Sequence, residues 1–282
     1  MSIRAKAFAK INLFLDITGK RPDGYHELDS IFQSVSLHDE ISLDLTDSGI
    51  SVLCDNDELC GEENIVYKAC NLYFEEIGYL GGAGVKLKKN IPVAAGLGGG
   101  SADAAATLLL LNKAFGNQLS TDKLCEIALK LGADVPFCVI GGTARVKGIG
   151  EKISSVNTPC LHYVLIKERQ KQSTGKMFSV IDNTDYTSNV RIEDMLLGLE
   201  NSDVNAISKN LFNAFAFCWD FDDMTAHFAE FAPLGVFLSG SGPTVCAIFE
   251  NEDKAKLCAN KLQDRGVSAF YACSRPIGVE LV

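Results

Sequence analysis

Pro92-Val93-Ala94-Ala95-Gly96-Leu97-Gly98-Gly99-Gly100-Ser101-Ala102-Asp103-Ala104-Ala105-Ala106 is a loop almost bare of side chains that runs straight into a helix-forming segment. Its four glycines leave the backbone free to take positive φ and put nothing between its amides and a ligand. Ser101 is a natural N-cap for the run from Ala102 to Phe115, which is rich in strong helix formers. A glycine loop opening a helix aims unpaired N–H groups and the positive end of a dipole at one point, which suits phosphate. Tight packing also calls for such glycines, so the loop alone leaves both readings open. Serine in place of the last glycine separates it from the dinucleotide fingerprint, and no Gly-Lys-Ser/Thr follows to make a Walker A loop.

Upstream, Val85 to Leu87 reads as a strand, and Asn64 can cap a helix running to about Ile77. Ala9, Ile11, Leu13, Leu15 and Ile17 stand at alternate positions, the period of a half-buried strand, with Lys10, Asn12, Phe14 and Asp16 on the opposite face. Asp29 to Leu37, Glu40 to Leu45 and Ile50 to Cys54 are further strand candidates, and Arg21-Pro22-Asp23-Gly24 marks the turn before them. Downstream, the helix from Ala102 is apolar nearly all round and should be buried. A second helix, Thr121 to Leu131, stops at Gly132.

Beyond Gly148-Ile149-Gly150 the rhythm changes. A strand is expected at Leu161 to Ile166, with helices at Thr174 to Ile181, Arg191 to Leu199 and Val204 to Cys218. Strands at Gly235 to Leu238 and Val245 to Phe249 flank a glycine-rich turn. A helix from Asp253 to Asp264 and a strand from Val267 to Cys273 follow. Strands and helices alternating around antiparallel hairpins imply an α+β chain with a boundary near Val156, dividing it into residues 1–156 and 157–282.

The 282 residues suffice for two ordinary domains, and 47% hydrophobic with 22% charged residues describes a folded globular protein. A formal charge of −10 argues against a nucleic-acid surface. Lys86, Lys88 and Lys89, just ahead of the glycine loop, form the most basic spot and suit an anionic small molecule. Ten scattered cysteines contain no C-x-x-C pair, most sit among apolar neighbours, and no signal peptide is visible. These features lead us to expect a soluble cytoplasmic protein without a membrane span.

Several residues carry chemical potential. Lys10 and Asn12 share the polar side of a strand otherwise built for burial; Lys10 either snorkels at a sheet edge or supplies a fixed cation near phosphate. Asp134 follows Gly132 and precedes Val135-Pro136. Because proline disfavours αR at the preceding residue, Asp134 is expected on a constrained loop, either as a capping carboxylate or as a base. Asp103 reads as an early-turn acid favoured by the helix dipole. Ser239-Gly240-Ser241-Gly242-Pro243 is a hairpin turn that, with the first loop, could wall an anion site. Tyr25-His26 puts an aromatic and an imidazole on one turn, suited to stacking on and hydrogen bonding a nucleobase. His38, His162 and His227 are isolated, and Gly175-Lys176 lacks the rest of a P-loop.

Taken together, Pro92 to Ala106 and Leu238-Ser239-Gly240-Ser241-Gly242-Pro243-Thr244 resemble two motifs of the GHMP kinases, the superfamily of galactokinase, homoserine kinase and mevalonate kinase. Three further segments resemble the branch that phosphorylates diphosphocytidyl methylerythritol for isoprenoid synthesis: Ala9 to Leu13, Arg21 to Leu28, and Leu131 to Phe137. The motifs run in order over nearly the whole chain. The resemblance implies a two-domain α+β fold, with a ribosomal-protein-S5-like N-terminal domain and a ferredoxin-like C-terminal one. It also implies transfer of phosphate from ATP, with Mg²⁺, to the 2-hydroxyl of the cytidyl substrate, in a monomer or weak homodimer.

By that resemblance Asp134 takes the hydroxyl proton and Lys10 steadies the developing charge. This agrees with chemistry in which positioning and charge neutralisation do most of the catalysis. Pro92, Val93, Ala94, Ala95, Gly96, Leu97, Gly98, Gly99, Gly100, Ser101 and Ala102 would bind ATP, Gly96 to Ser101 wrapping its phosphates, with Asn64 and Lys89 on the adenine side. Tyr25 and Phe178 would sandwich the cytosine and His26 would read its edge, while Asn12, Thr174 and Gly240 would touch the substrate. The metal ligands are not fixed by the sequence. Ser101 is the candidate, because Ala102 stands where many relatives carry a second serine. Asn210-Leu211-Phe212-Asn213 departs from the family's usual Asn-Asp-Leu-Glu, so no polar role is assigned there.

Overall fold

In the computed structural model, the described residues are 2–169, 173–184, 186, 188–218 and 220–282, with the Thr174 side chain left aside. The chain opens with two long strands, β1 (Ile3–Lys20) and β2 (His26–Thr46), paired antiparallel along nearly their whole length. The Arg21–Gly24 turn joins them. Sequence periodicity splits β2 in two, but the ladder runs on through, with register shifts between Phe8 and Lys10 and again near Asn12 and Ile17. Such bulges bend and re-aim a strand without ending it. There follow β3 (Ile50–Cys54), α1 (Ile65–Ile77) and β4 (Gly82–Lys88). Asn64 caps α1, its side chain accepting from the Val66 amide.

Three helices come next: α2 (Gly99–Ala114), α3 (Thr121–Leu131) and α4 (Val135–Ile140). α2 begins earlier than its serine suggests. Its N-cap is Gly98, at φ 69°, and Ser101 lies inside the first turn with no capping bond. Only a residue without Cβ makes that left-handed entry at no steric cost, so the glycine displaces the serine from the cap. Val135 is also helical, contrary to the bias a following proline sets. Pro136 stands in the first turn of α4, where a missing N–H costs nothing. Asp134 is thereby the N-cap residue of α4, yet its carboxylate makes no capping bond and stays available.

β5 (Thr143–Gly148) and β6 (Lys152–Val156) finish this half; β7 (His162–Ile166), α5 (Thr174–Ile181), α6 (Ile192–Glu200) and α7 (Val204–Lys209) open the next. The helix expected over Val204–Cys218 ends at Lys209. A two-residue strand, β8 (Phe212–Asn213), and a 3₁₀ turn take its second part. Aromatic and β-compatible residues there pair with β1 instead. The chain closes with α8 (Asp222–Ala226), β9 (Gly235–Leu238), β10 (Val245–Phe249), α9 (Glu252–Asp264), β11 (Ala269–Cys273) and β12 (Val279–Leu281).

Among the described residues these strands form two sheets. The first has the path β12-β1-β2-β4-β3, with β5, β6 and β8 attached. The second is β11-β7-β10-β9, antiparallel throughout. α2 packs against β1, α1 and α4, and its Ala102, Ala104, Ala105 and Ala106 are fully buried. Small side chains let it approach the sheet closely. That contact brings the glycine loop over the polar side of β1.

Candidate active site

β1 delivers Lys10 and Asn12 to one face, as a period of two requires. That face is covered, so both are buried, at 4% and 0% exposure. Lys10 is no snorkelling edge residue. Its Nζ donates to Asn12 Oδ1 at 2.9 Å, sits 4.4 Å over the Phe32 ring, and lies 3.3 Å from Asp134 Oδ2. Asp134, about a third exposed, opens onto the cleft. Asn12 is committed to protein: its Oδ1 also accepts from the Gly240 amide, and its Nδ2 donates to Ser30 Oγ.

The glycine loop is locked to this pair from both sides. The Lys10 amide donates to Leu97 O. A Cβ on Gly98 would meet Lys10 Cγ at 2.8 Å, and one on Gly96 would meet the Ser239 carbonyl at 2.6 Å. Ser239 Oγ donates to Gly96 O, and the Thr244 amide to Ala95 O. The two glycine turns therefore form one seam. Asn213 holds the second of them, its Nδ2 donating to Leu238 O and Gly240 O. The segment given no polar role thus supplies a polar clamp. At the start of α2, helix geometry leaves the amides of Gly99, Gly100 and Ser101 without intrahelical acceptors.

These elements surround a cleft of about 860 Å³. Lys10, Asn12, Tyr25, His26, Asn64, Lys89, the whole run Pro92–Ser101, Asp134, Phe178 and Gly240 line it. Ala102 does not; it is fully buried beneath the loop. The Thr174 side chain lies outside the described residues. The Asn64 amide is spent on α1 and on Leu59 O. Tyr25 is exposed at the mouth, whereas His26 stacks on Phe178 at 4.5 Å between ring centroids and donates to or accepts from Asp182 at 2.6 Å.

Lys89 turns away from solvent. Its ammonium bridges Asp39 and Asp103, which lie on β2 and α2. Asp103 is therefore a buried acceptor of the Lys89 ammonium and not a solvated dipole acid. Burial works against the Lys89 charge, but Asp103 and Asp39 outweigh it and hold its pKa above the ordinary value. Burial pushes Asp103 up to about 8, opposed by Lys89 and reinforced by Asp39. Asp103 Oδ1 has no hydrogen-bond partner among the described residues. Sequence reasoning missed this triad because its members stand 50 and 14 positions apart. It missed Asp182 for the same reason.

The GHMP kinases N terminal domain family matches residues 64–142, and the GHMP kinases C terminal family matches residues 198–268. A 4-diphosphocytidyl-2-C-methyl-D-erythritol kinase from Acetivibrio thermocellus is 39% identical over 276 residues, covering 95% of this chain and 98% of its own. The solved structure of a 4-(cytidine 5'-diphospho)-2C-methyl-D-erythritol kinase superposes with a TM-score of 0.80 at 30% identity, covering 96% of this chain and 98% of that one. A homoserine kinase from Cytophaga hutchinsonii shares the fold, with a TM-score of 0.79 at 19% identity, covering 100% of this chain and 97% of its own. No helix among the described residues is long and apolar enough to cross a membrane.

Proposed function

This chain belongs to the 4-diphosphocytidyl-2-C-methyl-D-erythritol kinases of the GHMP family, and we propose that Asp134 and Lys10 carry its transfer step. It is an ATP-dependent kinase of a small-molecule alcohol. The observation behind the assignment is the Lys10–Asp134 pair, 3.3 Å apart at the wall of a cleft that the glycine loop also lines.

In this reading Asp134 accepts the proton of the substrate's 2-hydroxyl as that oxygen attacks the terminal phosphorus of ATP. Lys10 neutralises charge gathering on the transferring group, and Asn12 fixes its ammonium by taking one of its three protons in a hydrogen bond. Donors already fixed in place stabilise a transition state without reorganising. The Gly99, Gly100 and Ser101 amides cradle the phosphates. Tyr25, His26 and Phe178 take the cytosine, which has faces to stack and an edge to read. The chain works as a monomer or weak homodimer in the cytoplasm.

Mg²⁺ fits the donors present. No group of three or more His, Cys, Asp or Glu side chains able to hold a metal occurs among the described residues. Mg²⁺ commonly keeps its waters and binds through few protein oxygens plus substrate phosphates. Ser101 Oγ, at the cleft wall and without a hydrogen bond to the described residues, would contribute one such oxygen. When bound, the ion neutralises phosphate charge.

The test is ADP release from the purified protein with ATP, Mg²⁺ and the cytidyl substrate, run beside homoserine and mevalonate. Turnover of the first alone is expected. Equal turnover of homoserine would end the cytosine reading of the pocket.

A further inference from the structure

Beside the aromatic turn stands a carboxylate that the transfer step does not use. Asp182 follows α5 at its C-terminal end, remote in sequence from the β1–β2 hairpin. It bonds that hairpin twice: to Lys20 Nζ at 2.5 Å and to His26 Nε2 at 2.6 Å. Phe178, one turn earlier on α5, stacks on the His26 ring with 15° between the planes. Ring plane and ring rotation are thus both fixed, and both by α5. The partnership also holds the Asp182 carboxyl below its ordinary value, through His26 first and Lys20 next.

A neutral imidazole has one N–H and one bare nitrogen, and the partner of one nitrogen decides the state of the other. An ionised carboxylate only accepts. In the neutral ring, Nε2 facing Asp182 must therefore carry the proton, which leaves Nδ1 as an acceptor. Nδ1 makes no hydrogen bond to the described residues, and His26 lines the cleft.

We propose that Asp182 is a positioning residue that sets the His26 tautomer and so makes the pocket choose cytosine over uracil. The inference rests on the cytosine reading given above. Cytosine carries an amino donor at its fourth position, whereas uracil carries a carbonyl acceptor there, like thymine. A bare Nδ1 pairs with the first and opposes the second. Without the carboxylate both tautomers become available, and the Nδ1–H form donates to a uracil carbonyl.

The test combines ¹⁵N NMR of the histidine rings at pH 8 with kcat/KM for the cytidyl substrate and its uridyl analogue. The chain has four histidines, so a His26→Gln sample assigns the resonance by difference. The unaltered protein should show the Nε2–H tautomer and prefer the cytidyl substrate. Asp182→Asn should mix the tautomers and lower the cytidyl-to-uridyl ratio about tenfold or more, since a site built around a hydrogen bond owes its selectivity to it. Asp182→Glu should restore the tautomer, and Lys20→Met, which leaves the His26 contact, should not change it. An Nδ1–H tautomer in the unaltered protein overturns the proposal. So does an unchanged substrate ratio in Asp182→Asn from a selective parent. A parent indifferent to the base instead brings down the cytosine reading itself, and the proposal with it.

Discussion

Asn12 is fully buried and ties three segments together through one amide: Lys10, Ser30 and the Gly240 backbone. Asn12→Leu keeps the size but strands the Gly240 N–H and frees the Lys10 ammonium. Leaving a buried donor unsatisfied costs about 1–3 kcal/mol. Denaturant unfolding should show that loss, and kcat should fall further than the KM of either substrate. Asp103 makes a separate prediction. Folded, it keeps its proton to about pH 8; unfolded, it releases it near the ordinary value of about 4. The folded state therefore binds more protons in that window, and this group's contribution is complete at low pH and lost as pH rises toward 8. Asp103→Asn should flatten the decline of Tm between pH 5 and 8. An unchanged slope would assign it to other groups.

At the scale of elements, the glycine loop is tuned by contact as much as by φ. Gly98→Ala places a methyl against the Lys10 stem, a side chain that can shift, in a left-handed conformation. That conformation alone costs roughly 1–3 kcal/mol, and the shift should lower kcat by moving Lys10 from Asp134. Gly96→Ala meets two backbone carbonyls, of Ser239 and Gly242, which cannot yield. Thermal unfolding should place it below Gly98→Ala. Much of this scaffold was legible beforehand. Periodicity and caps located α1, α3, β9 and β10, because each has a local signal such as Asn64 or Gly132. The start of α2 was misplaced because a serine competes on paper with a glycine whose left-handed entry shows only in three dimensions. The false helix over Val204–Cys218 failed because β1 offers Phe212 and Asn213 a ladder, a partner some 200 residues away. Lys10, Asn12, His26 and Asp134, which sit inside motifs, line the cleft. The Lys89 triad, Asp182 and the Asn213 clamp were not legible, since each depends on which distant strand or helix packs beside it.

At the scale of the molecule, function depends on convergence. β1 brings Lys10, the loop before α4 brings Asp134, α2 brings its bare amides, and the β9–β10 turn locks the loop from the other half of the chain. Polar seams hold the halves in register: Tyr163 donates to Gln33, the Arg275 amide to Ser34 O, and the Cys273 amide to Ser36 Oγ. β12 then returns to pair with β1. In the proposed reading, substrate and nucleotide contacts are spread over the fold, while the chemistry rests on one pair. A rapid-quench single turnover with Asp134→Asn, alongside its ATP affinity, separates the two most directly. ATP should bind as in the unaltered protein while phosphoryl transfer slows by roughly 10²–10⁴-fold, the usual worth of a general base. Transfer at the unaltered rate would contradict the role given to the Lys10–Asp134 pair.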